Sequence, residues 1–118
     1  MPVNNRDAGS LWDMMQAIRL IQEFTVNLAY DFFLESVLIQ SAVERQLEIL
    51  GEAARRLSDE FRQAHPEIDW RRIIGLRNIL IHRYDEIRQQ AIWAVVTSEL
   101  ELLLTQLEPL LPPLPDET

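Results

Sequence analysis

Residues 36–57, SVLIQSAVERQLEILGEAARRL, decide the fold. Val43, Leu47, Leu50, Ala54 and Leu57, continued by Phe61, recur at steps of 4, 3, 4, 3 and 4. That period stacks side chains along one side of an α-helix. Ile39, Ala42, Ile49 and Ala53 widen the stripe beyond one face, so the helix is expected to meet more than one neighbour. Those neighbours are either helices of its own bundle or a second subunit. Gly51 sits inside the helix, where glycine costs about 1 kcal/mol relative to alanine. A close approach of backbones is the expected compensation.

Helical period continues on both sides. Upstream, Ser10 is the expected cap of a first helix reaching about Leu28, with Leu11, Met14, Met15, Ile18, Ile21 and Val26 as its apolar positions. A short helical turn over Tyr30–Leu34 follows, with Asn27 or Asp31 as candidate caps. Downstream, Pro66 ends any helix that reaches Ala64. Asp69 then caps a fourth helix from Trp70 to about Arg83, with Gly75 inside it. Gly51 and Gly75 are expected to mark a single helix crossing. A fifth helix starts near Asp85–Arg88 and carries Ile92, Val96, Leu100, Leu103 and Leu107. Pro109, Pro112, Pro113 and Pro115 end it. Alternating β-branched runs bounded by turn dipeptides are missing. The expectation is an all-α protein: one domain over residues 1–118, an antiparallel bundle of four main helices plus one short helix. Residues 1–9 and 110–118 are expected to be flexible termini.

Composition bounds the function. A hydrophobic fraction of 47% suffices for one core in 118 residues. No unbroken apolar run approaches the roughly 20 residues that span a bilayer, and the polar start does not read as a signal peptide. Cysteine is absent, which removes disulfides and fits a cytoplasmic location. His65 and His82 are the only imidazoles, so no metal site is expected within one chain, and no cofactor is called for. The net charge of −8 opposes general affinity for nucleic acid. From Asp69 to Arg88, however, five arginines face three acids, giving +2 locally and −10 elsewhere. All eleven basic residues are arginine. That suits phosphate recognition through the planar guanidinium fork, and a coding bias would yield the same count.

The stretch RNILIHRY, residues 77–84, sets a guanidinium, an amide, an imidazole and a phenol into an apolar helix. Polar groups removed from water cost free energy unless they are paired. At helical period Arg71, Gly75, Asn78 and His82 share a face, while Trp70, Ile73, Ile74, Arg77, Ile81 and Tyr84 form a neighbouring stripe. Arg77 and His82 are separated by roughly 140° around the axis. They converge only through the reach of arginine or through a second copy of the chain. Imidazole, with a reference pKa near 6.5, exchanges a proton at neutral pH. Guanidinium stabilises charge growing on phosphorus without a metal. With Asn78 orienting the imidazole or a phosphate oxygen, the set suffices for RNA cleavage through the 2′-hydroxyl. Single-stranded or looped RNA is the expected substrate. The competing reading is structural: Arg and His near a helix carboxyl end satisfy the helix dipole, and Tyr84 is a core aromatic. Glu48 and Glu52 are either partners for Arg77 or a solvated face.

Arg77-Asn78-x3-His82-x-Tyr84 resembles the signature of the HEPN superfamily, specifically the HepT-like toxins encoded beside small nucleotidyltransferases. Residues 46–54, QLEILGEAA, resemble that family's long central helix. HPEIDW at 65–70 and IIGLRN at 73–78 resemble its approach to the motif. The likeness runs from about Leu11 to Leu107.

This resemblance implies a homodimeric bundle whose two motif copies line a shared cleft. It implies a metal-independent endoribonuclease toxin of a type VII-like toxin–antitoxin pair, with Arg77 and His82 carrying cleavage and Asn78 supporting them. Arg71, Arg72 and Arg83 would contact RNA, such as a tRNA or mRNA. A minimal (MNT-type) nucleotidyltransferase antitoxin would place AMP on Tyr84 and block the cleft. The alternative is a non-catalytic helical dimer that binds and regulates a nucleotidyltransferase. Arg88 departs from the family, which often carries an acid near that position.

Overall fold

A computed structural model of the protein describes residues 3–81 and 85–112. These form α-helices and one 3-10 turn, with no strand among the described residues. The helices are α1 (Asn5–Thr25), α2 (Tyr30–Glu35), α3 (Val37–Arg56), α4 (Asp59–Ala64), α5 (Trp70–Ile74), α6 (Arg77–Leu80), α7 (Asp85–Ser98) and α8 (Leu100–Leu107). The all-α architecture follows the expectation.

The central helix α3 has Ser36 as its cap, whose Oγ accepts from Ile39 N at 3.1 Å. Val43, Leu47, Leu50 and Ala54 are buried along it. They meet Leu11, Met14, Ile18 and Ile21 of α1, Ile92 and Val95 of α7, and Leu100, Leu103 and Leu107 of α8 in one core. Each fully buried Leu or Ile contributes roughly 1.5–3 kcal/mol. α1 and α3 are antiparallel, because Asp7 at the start of α1 bonds to Ser58 just past the end of α3.

α1 begins at Asn5 rather than near Ser10. Asn4 is its cap, accepting from Asp7 N at 2.7 Å, and Ser10 is buried within the helix. The polar start resembles a loose terminus until Asp7 finds its partner 51 residues away. α2 starts after Ala29 without a side-chain cap. Neither Asp31 nor Asn27 fills that role. Asn27 instead takes φ 56°, the left-handed conformation that asparagine tolerates better than most residues, and turns the chain between α1 and α2. Phe33 of α2 is fully buried and stacks against Trp93 of α7 with centroids 5.0 Å apart.

The expected fourth helix is two short ones. Asp69 caps α5 as anticipated, accepting from Arg72 N at 3.1 Å. At Gly75 the ladder tightens to i→i−3 bonds: Leu76 N to Ile73 O, Asn78 N to Gly75 O and Ile79 N to Leu76 O, at 2.9–3.1 Å. Such short-range bonds make a tighter turn than the α-helix and re-aim the chain. The last helix is likewise divided at Glu99, although Glu99 N to Val95 O and Leu103 N to Glu99 O continue the ladder across the junction.

Only one of the two glycines marks the crossing. A Cβ on Gly51 would lie 3.2 Å from Ile73 O and 3.6 Å from Ile74 O, so α5 rests directly on the backbone of α3. A Cβ on Gly75 would meet its own turn, 3.1 Å from Arg71 O. Gly51→Val is therefore expected to lower stability by about 2 kcal/mol, the overpacking range, read as a lowered thermal midpoint by circular dichroism. An unchanged midpoint would show that α5 does not need this close seat.

Candidate active site

The close approach at Gly51 leaves a groove of about 710 Å³ between α3 and the α5–α6 turn. Ile49, Gly51 and Ile74 lie along it, Arg77, Asn78 and Ile81 form one wall, and Arg45, Glu48, Glu52, Arg55 and Arg56 form the other. Arg77 and Asn78 are exposed. Neither makes a side-chain hydrogen bond or ion pair among the described residues. An exposed guanidinium and amide side by side on a concave wall can donate hydrogen bonds to an anion.

A smaller depression of about 310 Å³ lies beside it, lined by Arg71, Arg72, Gly75, Asn78 and Ile79. The expected grouping of Arg71, Gly75 and Asn78 is thus present despite the helix break, and Asn78 borders both hollows. Arg72 is differently committed. Its Nε and Nη2 donate to the two carboxylate oxygens of Glu99 at 3.0 and 2.9 Å. That bond, with the nearby charges of Glu99 and Asp69, raises its pKa against the lowering effect of burial. The fork of Arg72 therefore ties α5 to the α7–α8 junction. Glu48 and Glu52 do not pair with Arg77 either. They accept from Arg45 at 3.4 Å and Arg55 at 3.1 Å along α3.

His82, Arg83 and Tyr84 lie outside the described residues. The chain enters that stretch from Ile81 on the groove wall and leaves it at Asp85, where α7 starts. One turn into α7, Arg88 faces Glu44 of α3 at 3.6 Å, and Gln89 Nε2 lies 3.5 Å from the other Glu44 oxygen. The unexpected residue at 88 thus ties the exit of the motif to the central helix. The arginines of α3 that line the groove escaped the sequence reading. Their signal was the 3- and 4-residue spacing of Arg45, Glu48, Glu52 and Arg55 beside Gly51. Among the described residues no three His, Asp or Glu side chains gather as metal ligands, and no helix is long and apolar enough to cross a membrane.

A small helical bundle with an exposed arginine and asparagine in an arginine-lined groove has the donors that suit anionic, phosphate-bearing groups. Residues 14–110 match the family model described as "Ribonuclease HepT-like". The chain is 38% identical over 100 residues to "Probable ribonuclease HepT" of Thermococcus cleftensis, covering 85% of this chain and 91% of that one. It is 36% identical over 98 residues to "Putative RNase MJ1380" of Methanocaldococcus jannaschii, covering 83% and 90%. It is 31% identical to "Putative RNase TTE0752" of Caldanaerobacter subterraneus, covering 83% and 88%. No solved structure matches the chain significantly. The chain belongs to the HepT-like ribonuclease family, a class of RNA-cleaving enzymes.

Proposed function

We propose that this chain is a metal-independent endoribonuclease, the toxin of a toxin–antitoxin pair acting in the cytoplasm. The observation that carries the reading is Arg77 and Asn78 on the wall of the groove between α3 and the α5–α6 turn, unpaired among the described residues, in a chain of ribonuclease family. His82 follows Ile81 of that wall in sequence. Neutral imidazole removes the proton of a ribose 2′-hydroxyl. The oxygen attacks the adjacent phosphorus, and the 5′-oxygen leaves with a proton. The products are a 2′,3′-cyclic phosphate and a 5′-hydroxyl. Arg77 stabilises the charge that gathers on the phosphoryl oxygens, and Asn78 holds the imidazole or a phosphate oxygen in place. Arg71 and Arg83 contact the flanking RNA.

In this reading two copies pair so that both motifs share one cleft, in which the Arg77 of one protomer meets the His82 of the other. The antitoxin is a minimal nucleotidyltransferase. The Tyr84 hydroxyl attacks the α-phosphorus of ATP, pyrophosphate leaves, and the tyrosine carries AMP. A new phosphate beside His82 then repels RNA and fills its place.

One preparation tests these points. The wild-type protein is expected to cut single-stranded RNA in EDTA and to leave cyclic phosphate ends. Co-expressed with the nucleotidyltransferase, it should gain AMP in its intact mass, and Tyr84→Phe should not. Intact RNA at every protein concentration would leave a non-catalytic regulator of the nucleotidyltransferase as the better reading. AMP on the Tyr84→Phe protein would remove Tyr84 as the acceptor.

A further inference from the structure

The groove holds more cationic side chains than cleavage requires. Arg45, Arg55, Arg56 and Arg77 line it against Glu48 and Glu52, an excess of positive charge on a chain of net −8. We propose that Arg45 and Arg55 of α3 form a rail for the RNA backbone, binding phosphates on either side of the one cleaved at Arg77. This rests on the reading of the chain as an RNA-cleaving enzyme.

Geometry favours a strand laid along α3. Arg45 lies six residues before Gly51 and Arg55 four residues after it, so the two are about 15 Å apart along the helix axis. Gly51 is where α5 touches α3, and Arg77 stands across the groove from the rail. A single strand following the groove would meet Arg45 first and Arg55 last, with Arg77 on its other side. The span suits several nucleotides and no base-specific reader, as in other non-sequence-specific single-strand grooves.

Without RNA the rail arginines rest on their own helix. Arg45–Glu48 and Arg55–Glu52 are pairs three residues apart, and all four side chains are well exposed. Exposed pairs of this kind are weak. Phosphate competes well for the guanidinium, because its oxygens match the bidentate fork. Glu48 and Glu52 hold the arginines over the groove and also oppose the approach of a polyanion. The two carboxylates therefore limit RNA affinity, and their removal acts in the opposite sense to removal of the arginines.

The test is binding of a non-cleavable 2′-O-methyl oligouridylate of about twelve nucleotides to the full chain, followed by fluorescence anisotropy across a salt series. Arg45→Gln with Arg55→Gln is expected to weaken binding about tenfold to a hundredfold at low salt. It should also flatten the log–log salt dependence by about 1.4, since each single-strand phosphate contact contributes about 0.7. Glu48→Gln with Glu52→Gln is expected to tighten binding. Arg6→Gln with Arg19→Gln, which removes the same charge away from the groove, should change it by less than about twofold. Equal losses in the rail and control variants would reduce the effect to net charge and overturn the proposal, as would unchanged or weaker binding after the glutamate changes. Because the probe cannot be cut, binding through Arg45 and Arg55 by a protein that cuts no RNA would uphold the rail while removing the nuclease reading.

Discussion

Arg77→Ala is expected to slow RNA cleavage by about a hundredfold to a thousandfold while leaving the thermal midpoint where it was. The size follows from what the guanidinium does. A preorganised donor aimed at developing charge typically supplies that factor, and Arg77 is exposed on the groove wall with no partner to lose among the described residues. Arg77→Lys keeps the charge without the planar fork and should recover only part of the rate. Mixing Arg77→Ala with His82→Ala protein then asks where the two groups meet. If one protomer's arginine serves the other's imidazole, half of the randomly re-paired dimers are mixed and each keeps one intact site, giving about a quarter of the wild-type rate. No recovery on mixing would place both groups in a single protomer. An unimpaired Arg77→Ala enzyme would remove Arg77 from the machinery altogether.

Asp7→Ala is expected to have the largest effect on stability among polar substitutions, about 3 kcal/mol, or a thermal midpoint lower by about 10 °C. Asp7 is only 3% exposed. Its Oδ1 accepts from Ser58 N at 2.9 Å, and its Oδ2 from Ser58 Oγ at 2.7 Å and Asn4 Nδ2 at 3.1 Å. The same Ser58 Oγ accepts from Phe61 N at 3.1 Å and so caps α4. One carboxylate therefore joins the start of α1 to the turn between α3 and α4. Alanine leaves the Ser58 groups without that acceptor, and charge-assisted bonds cost more to lose than neutral ones. Asp7→Asn should fall between, since its Oδ1 still accepts while its amide faces the Asn4 amide. Urea titration of the three proteins checks the order. Equal midpoints for Asp7→Ala and wild type would mean that solvent replaces the bonds at no cost.

The bundle was legible where its information is local. The stripe on α3, the Asp69 cap and the stop at Pro66 depend on neighbours a few residues away, and period and cap chemistry suffice to find them. The early start of α1 was not legible, because Asp7 is spent on a residue far along the chain. The break at Gly75 was hidden by an apolar pattern that a continuous helix satisfies equally well. The same limit holds at the site. Arg77 and Asn78 stood out as polar groups in an apolar run. The bond between Arg72 and Glu99 and the approach of the α3 arginines to the motif depend on long-range packing, which no spacing encodes. His82, Arg83 and Tyr84 remain expectations from the motif itself.

The helix that bears Arg77 and Asn78 has one turn and no buried residue. Its position is set by Gly75 before it, by the seat of α5 on α3, and by Ile79 and Leu80, which are half-buried against the core. On the proposed reading, chemistry and foldedness are therefore carried by different residues in this molecule. Exchanging the exposed polar side chains of that turn removes no buried contact, so a lineage built on this plan can retune, or silence, the proposed cleavage while the scaffold persists unchanged.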